Sequence, residues 1–208
     1  INAIYEKQKL EEKDLKNLIL QVREKKIDGI NVTVPFKKAI IPFMDKLSVE
    51  AQKTQSVNTI YLDNSKIIGH NTDTAGFAMS IQKSNINLSN KKVLILGAGG
   101  VVPSIISSLV EMKVSKIFIC NRTKEKAENL KSFFNDIKVI NWGEIPDIDM
   151  IINATSLGLK EGDKMHLDFS LIGNNKIFYD VIYNPKETTF LKTGKKLRNI
   201  TINGKLMF

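Results

Sequence analysis

Residues 91–123, KKVLILGAGGVVPSIISSLVEMKVSKIFICNRT, decide how the rest of the chain is read. Residues 92–96 are an apolar run of strand length that ends on Gly97, Ala98, Gly99 and Gly100. Val102, Ile105, Ile106, Leu109 and Val110 follow at spacings of three and four, the stripe of an amphipathic helix. Residues 116–120 are apolar again. Strand, glycine turn, helix and strand form half of a dinucleotide-binding fold. Gly97 permits the tight turn. Gly99 lets the backbone approach a pyrophosphate at the helix N-terminus, where free N–H groups and the helix dipole favour anions. Ala98, Gly100 and Val101 complete the predicted phosphate loop. The third fingerprint position, where Gly or Ala packs the helix close to the strand, is Val102, which predicts a helix seated slightly further out. Pro103 suits a first helical turn. A strand-to-helix turn that binds nothing is the other reading of a lone GxG.

The next segment separates the two nicotinamide cofactors. An NAD site places an acid about 20 residues beyond the glycines to accept from the ribose 2′-hydroxyl, whereas a 2′-phosphate calls for positive charge. Here the chain reads Asn121, Arg122, Thr123, Lys124, Glu125, Lys126. Arg122 can pair with phosphate through two N–H groups or lie on the adenine face, and Lys126 is one helical turn further on. This favours NADP over NAD, against the plainer reading of a solvated basic helix start.

Composition narrows the remaining classes. The chain has 208 residues, 42% hydrophobic and 25% charged, with a net charge of +9. That charge comes from 28 Lys and only three Arg, interspersed with acids rather than clustered, which argues against a nucleic-acid face and for anionic small molecules. The single cysteine, Cys120, cannot form an internal disulfide and reads as a small core residue; His70 and His166 have no metal-ligand spacing, so no metal is expected. No apolar window is long enough to span a membrane and no signal pattern is visible, so a cytoplasmic protein is expected. Position 1 is not Met, and the chain is expected to be a fragment of a longer protein.

Periodicity predicts a helix over 11–26 with the stripe Leu15, Leu18, Ile19 and Val22, a strand over 29–34 and a helix over 37–44. Strands at 57–62 and 66–70 are joined as a hairpin through Asp63, Asn64 and Ser65, and a helix follows over 77–83. The polar stretch 84–90 is the expected domain boundary, giving a substrate domain over 1–84 and a Rossmann-like NADP-binding domain over 85–208. Beyond 123 the expected elements are a helix over 124–134, strands at 138–140, 149–152 and 176–182, a helix over 188–196 and a strand at 199–202. This alternation predicts an α/β fold, doubly wound, a parallel sheet with helices on both faces.

Three runs in the first region end strands with unusually polar residues. They are residues 31–37 (NVTVPFK), 57–59 (VNT) and 71–73 (NTD). If the strands are neighbours, these ends converge on one cleft, with the donors and acceptors that a polyhydroxylated ring needs. Turn and cap chemistry is the alternative for each run alone, and Asp73 could simply cap the following helix.

In order along the chain, GINVTVPFK, VNTI, GHNTDTAG, GAGG, NRT, NATSLGL and YDVIYNP resemble the shikimate dehydrogenase family, NADP-dependent enzymes that reduce 3-dehydroshikimate in aromatic amino-acid biosynthesis. The resemblance implies a catalytic pair, Lys37 and Asp73, with Thr33, Asn58 and Tyr183 helping to hold the substrate. It implies that Asn121, Arg122, Thr123 and Lys126 hold the adenosine phosphate, and that Ala154, Val181 and Gly204 contact the nicotinamide. It also implies a small-molecule partner and a monomer or homodimer. The sequence departs from the family at Val101 and Val102, where alanines are usual. The family's N-terminal serine motif and its closing C-terminal helix are absent from the stretch 1–208. A lysine has a reference pKa of about 10.4; burial would lower that of Lys37 and Asp73 would raise it, so proton donor and electrostatic anchor are both open roles. The rival readings are a quinate/shikimate dehydrogenase using NAD and a non-catalytic dinucleotide-binding module.

Overall fold

Two compact units, Ile1–Asn71 and Thr72–Phe208, make up the chain, and only the second meets the expectation of parallel strands. The structure is a computed structural model that describes residues 4–160 and 162–208; the first three positions of the expected substrate domain lie outside these described residues. The division falls between Asn71 and Thr72, earlier than the expected boundary in 84–90. The reason is packing: the helix after Asn71 shares its buried face with the second unit's core, as Phe77 and Ile81 lie in one cluster with Val93, Ile95, Val102 and Ile105.

The first unit holds a four-stranded sheet of β1 (Gly29–Asn31), β2 (Lys46–Leu47), β3 (Thr59–Asp63) and β4 (Lys66–His70), in the order β1-β3-β4-β2. β3 runs antiparallel to both β1 and β4, and only β2–β4 is parallel, which corrects the expectation of a parallel sheet for this half. The hairpin turn is as expected, with Asn64 and Ser65 at φ +46° and +64°, the mirror-image turn that matches strand twist. Helix α1 (Leu15–Arg23) buries Leu15, Leu18, Ile19 and Val22, the predicted stripe, but starts later than predicted, after a 3₁₀ turn at Glu12–Asp14. The expected helix over 37–44 is replaced by turns and a 3₁₀ segment, Ile41–Phe43. Ile40 donates to the Phe36 carbonyl at 3.0 Å, but Pro42 has no N–H with which to continue the ladder. A short helix that periodicity did not flag, α2 (Val49–Thr54), starts at Ser48, whose hydroxyl accepts from the Ala51 N–H at 3.2 Å.

The second unit opens with α3 (Asp73–Lys83) and carries a six-stranded parallel sheet. Its strands are β5 (Lys92–Leu96), β6 (Lys116–Cys120), β7 (Ile137–Val139), β8 (Met150–Asn153), β9 (Ile177–Asp180) and β10 (Ile200–Asn203), in the order β10-β9-β8-β5-β6-β7. The chain runs outward from β5 through β6 to β7, then crosses back to build β8, β9 and β10 on the other side. β5 and β8 therefore flank the topological switch point, where open α/β sheets bind ligands at their carboxyl ends. α4 (Val102–Glu111) buries Val102, Ile105, Ile106 and Leu109 completely, with Pro103 in its first turn; Val110, expected on that stripe, is half exposed. Three serines, Ser104, Ser107 and Ser108, are buried on α4. The helix expected over 124–134 shortens to α5 (Lys124–Glu128), followed by a 3₁₀ turn. α6 (Thr189–Lys196) is capped by Thr188 and packs on β9 and β10, the bare Gly194 meeting the Phe178 ring where a Cβ would lie within 2.6 Å of it. Among the described residues no helix is long and apolar enough to cross a membrane.

Candidate active site and cofactor edge

Five strands of the second unit end on one row. The register pairs Leu96 with Cys120 on one side and Asn153 on the other, Asn153 with Asp180, and Asp180 with Asn203. The residues that follow these five are Gly97, Asn121, Ala154, Val181 and Gly204, each in the expected cofactor set. Parallel pairing thus gathers positions spread over more than a hundred residues onto one sheet edge.

At the switch point Gly97 has φ +109°, and its N–H donates to the Cys120 carbonyl at 2.8 Å. A Cβ there would lie 2.9 Å from the Ala154 carbonyl oxygen, so internal geometry alone demands glycine. Gly99 is different: it is exposed and a Cβ would meet nothing nearer than the Ala154 oxygen at 3.9 Å. Its lack of a side chain answers to nothing inside the protein and suits a ligand lying close to the backbone, which is the fit a pyrophosphate requires. Ala98 and Val101 are half-buried against the core and Gly100 is exposed.

After β6, Asn121 shapes the turn by donating from Nδ2 to the Thr123 carbonyl at 2.8 Å. Arg122, Thr123 and Lys126 are exposed on it, while Lys124 is directed to Asn141 Oδ1 at 2.8 Å. On the other side, the turns after β8 and β9 share a buried polar cluster. Asn153 donates from Nδ2 to the Leu157 carbonyl at 3.1 Å and to Asp180 Oδ1 at 3.0 Å, and its Oδ1 accepts from the Thr155 N–H at 3.0 Å and hydroxyl at 2.7 Å. Asp180 also accepts from the Ile182 N–H at 3.0 Å and the Thr188 hydroxyl at 2.5 Å. Burial pushes the Asp180 carboxyl up to about 6, although all three hydrogen bonds favour the ionised form. Asn153 and Asp180 were not singled out from sequence; a lone polar residue closing an apolar run was the signal. After β10, a side chain on Gly204 would overlap the Val181 carbonyl. Gly76, in the first turn of α3 with the buried Asp73, lies as tightly against the Met207 carbonyl, so that turn stands beside the end of β10. Tyr183 is exposed with its ring 5.2 Å from that of Phe208.

In the first unit the backbone draws three candidate substrate residues together. The Val32 N–H donates to the Asn58 carbonyl at 2.8 Å, the Asn58 N–H to the His70 carbonyl at 3.0 Å and the Val57 N–H to the Lys37 carbonyl at 2.8 Å. Thr33, Lys37 and Asn58 therefore share one end of the sheet, beside the buried Asn71, whose Nδ2 donates to the Ser56 carbonyl at 2.9 Å and Thr54 Oγ1 at 3.3 Å. Lys37 is half-buried on a turn rather than at a helix start. It belongs to the first unit and Asp73 to the second.

Residues 1–60 match the family model described as the shikimate dehydrogenase substrate binding domain, and residues 79–160 match that of shikimate / quinate 5-dehydrogenase. The whole chain is 56% identical, over 208 residues and 78% of the relative's length, to a shikimate dehydrogenase (NADP(+)) of Pelagibacter ubique. The chain belongs to the shikimate dehydrogenase family. The crystal structure of shikimate dehydrogenase from Aquifex aeolicus superposes with a TM-score of 0.87 at 38% identity, covering 95% of this chain and 74% of that one. The Thermus thermophilus shikimate 5-dehydrogenase, solved in complex with NADP(H) and shikimate, gives 0.85 at 28% identity, covering 94% and 73%. The shikimate dehydrogenase fold thus extends over both units described above.

Proposed function

We propose that this protein reduces 3-dehydroshikimate to shikimate with NADPH, a step of aromatic amino-acid biosynthesis. The observation that carries the reading is the row of five strand ends, with the glycine turn at its centre and Arg122 beside it where an NAD site has its acid. Family membership and the NADP(+)-specific names of relatives support it. NADPH, when bound, supplies the hydride to the ketone carbon. Residues 97–101 hold the pyrophosphate through backbone N–H groups, and Asn121, Arg122, Thr123 and Lys126 hold the adenosine phosphate. Ala154, Val181 and Gly204 border the nicotinamide. Thr33, Asn58 and Tyr183 help to hold the substrate. Lys37 and Asp73 are the catalytic pair: Lys37 delivers a proton to the carbonyl oxygen as it gains charge, and Asp73 accepts from a substrate hydroxyl. The protein is cytoplasmic, a monomer or homodimer, with a small-molecule substrate and no nucleic-acid partner.

Turnover followed by NADPH absorbance, with shikimate or quinate paired with NADP or NAD, tests this. Shikimate with NADP should give the highest kcat/KM. A higher value for quinate with NAD would overturn the assignment of both substrate and cofactor.

A further inference from the structure

Asp180 is fully buried and tied by hydrogen bonds to three separate segments. Asn153 belongs to β8, Ile182 to the turn after β9, and Thr188 to the cap of α6, where its Oγ1 also accepts from the Leu191 N–H at 3.3 Å. Through Asn153 the same cluster extends to the Thr155 N–H and the Leu157 carbonyl. Three groups donate to the carboxylate: the Asn153 Nδ2, the Ile182 N–H and the Thr188 hydroxyl. An apolar residue at 180 would strand three donors in a buried space, and a carboxamide would bring a fourth N–H toward them. Of the five residues in the row, Asp180 alone carries a carboxylate. The carboxylate ties together the two turns that begin at Ala154 and Val181; its hydrogen bonds described above run to neither 97–101 nor 121–126, although the Ala154 carbonyl itself lies against Gly97.

We infer that Asp180 is a positioning residue that sets chiefly the nicotinamide half of the cofactor site, by clamping the turns after β8 and β9 to each other and to the cap of α6, and acts much less on the phosphate half. The inference rests on the cofactor assignment proposed above. It concerns a residue that makes no contact with the reacting atoms itself.

The test separates the halves with a probe for each. Adenosine 2′,5′-bisphosphate reads the phosphate half alone, and NADPH reads both. In the full protein carrying Asp180→Asn, the inhibition constant for the bisphosphate should stay within about twofold of the wild-type value. The NADPH dissociation constant should rise and kcat should fall, each by about tenfold, as expected when a reacting group is held slightly out of place. A parallel loss for both probes, or no change for either, would overturn the proposal. A second pair guards against misfolding of that variant. Thr188→Val should reproduce the split and Thr188→Ser, which keeps the hydroxyl, should restore wild-type kinetics; equal behaviour of the two would also overturn it. A wild-type protein that binds neither probe would reject the cofactor assignment itself and this inference with it.

Discussion

Arg122 stands on an exposed turn held by Asn121, so its charge is available to a ligand and contributes nothing to the core. Arg122→Ala should raise KM for NADP far more than KM for NAD, by the roughly 1.5–3 kcal/mol that a charge-assisted phosphate contact contributes. Equal changes for the two cofactors would remove Arg122 from that role. Lys37→Ala should lower kcat by about 10²-fold with NADPH affinity unchanged, the pattern of lost proton transfer; a rise in substrate KM alone would make Lys37 a binding group. Asp180 has a consequence for stability as well. Its carboxyl sits at about 6 in the fold against an ordinary value of 3.8. Between those values the folded protein holds a proton that the unfolded chain has released. Stability from this group therefore increases as pH falls through about 6, and the gain is complete near 3.8. Asp45 works the opposite way: its hydrogen bond from Arg23 and another from the Ile67 N–H hold it below the usual carboxylate range, so its contribution is lost only in stronger acid. Asp180→Asn should thus lose thermal stability relative to wild type as pH goes from about 7 to about 5. A melting-temperature difference that is constant over this range would contradict the assignment.

At the scale of elements, two glycines of the cofactor edge make opposite predictions. Gly204→Ala drives a Cβ into the Val181 carbonyl and should cost about 1–3 kcal/mol in urea denaturation, the range for overpacking. Gly99→Ala meets open space, so stability should hold within about 0.5 kcal/mol while KM for NADP rises. If Gly99→Ala destabilised the fold and spared NADP binding, the phosphate loop would be misassigned. The strands were legible in sequence because each is an apolar run closed by a polar or glycine residue: β5 and β6 have their predicted bounds and β8, β9 and β10 lie within a few residues of theirs. The first unit was less legible. Alternation of strand and helix suggests parallel pairing, but the β3–β4 hairpin sets an antiparallel direction that β1 then follows. The helix expected over 37–44 failed at a missing N–H on Pro42, and α5 ended early by passing into a 3₁₀ turn. Arg122 and the glycines could be singled out as candidates because charge and flexibility are conspicuous in a sequence. Asn153 and Asp180 could not, because their significance lies in contacts between strands that are distant in the chain.

For the whole molecule, ligands should leave separate signatures on the two units. NADP should slow amide hydrogen exchange at 97–101, 121–126, 154–158 and 181–183 in the second unit, and shikimate at 32–37 and 57–60 in the first. Protection by NADP at the opposite ends of β5, β6 and β8 would place the cofactor on the wrong edge of the sheet. The net charge of +9, although spread over many lysines, should also make KM for the anionic cofactor rise with ionic strength. The row of strand ends has one more consequence. The turn after β6 leaves the sheet beyond Cys120, the last residue paired with β5, and its exposed residues Arg122, Thr123 and Lys126 can change without sliding any strand against its neighbour. On the assignment proposed above, nucleotide preference is thereby uncoupled from foldability: exchanges at these exposed positions alter what the turn binds while the sheet beneath it stays as it is.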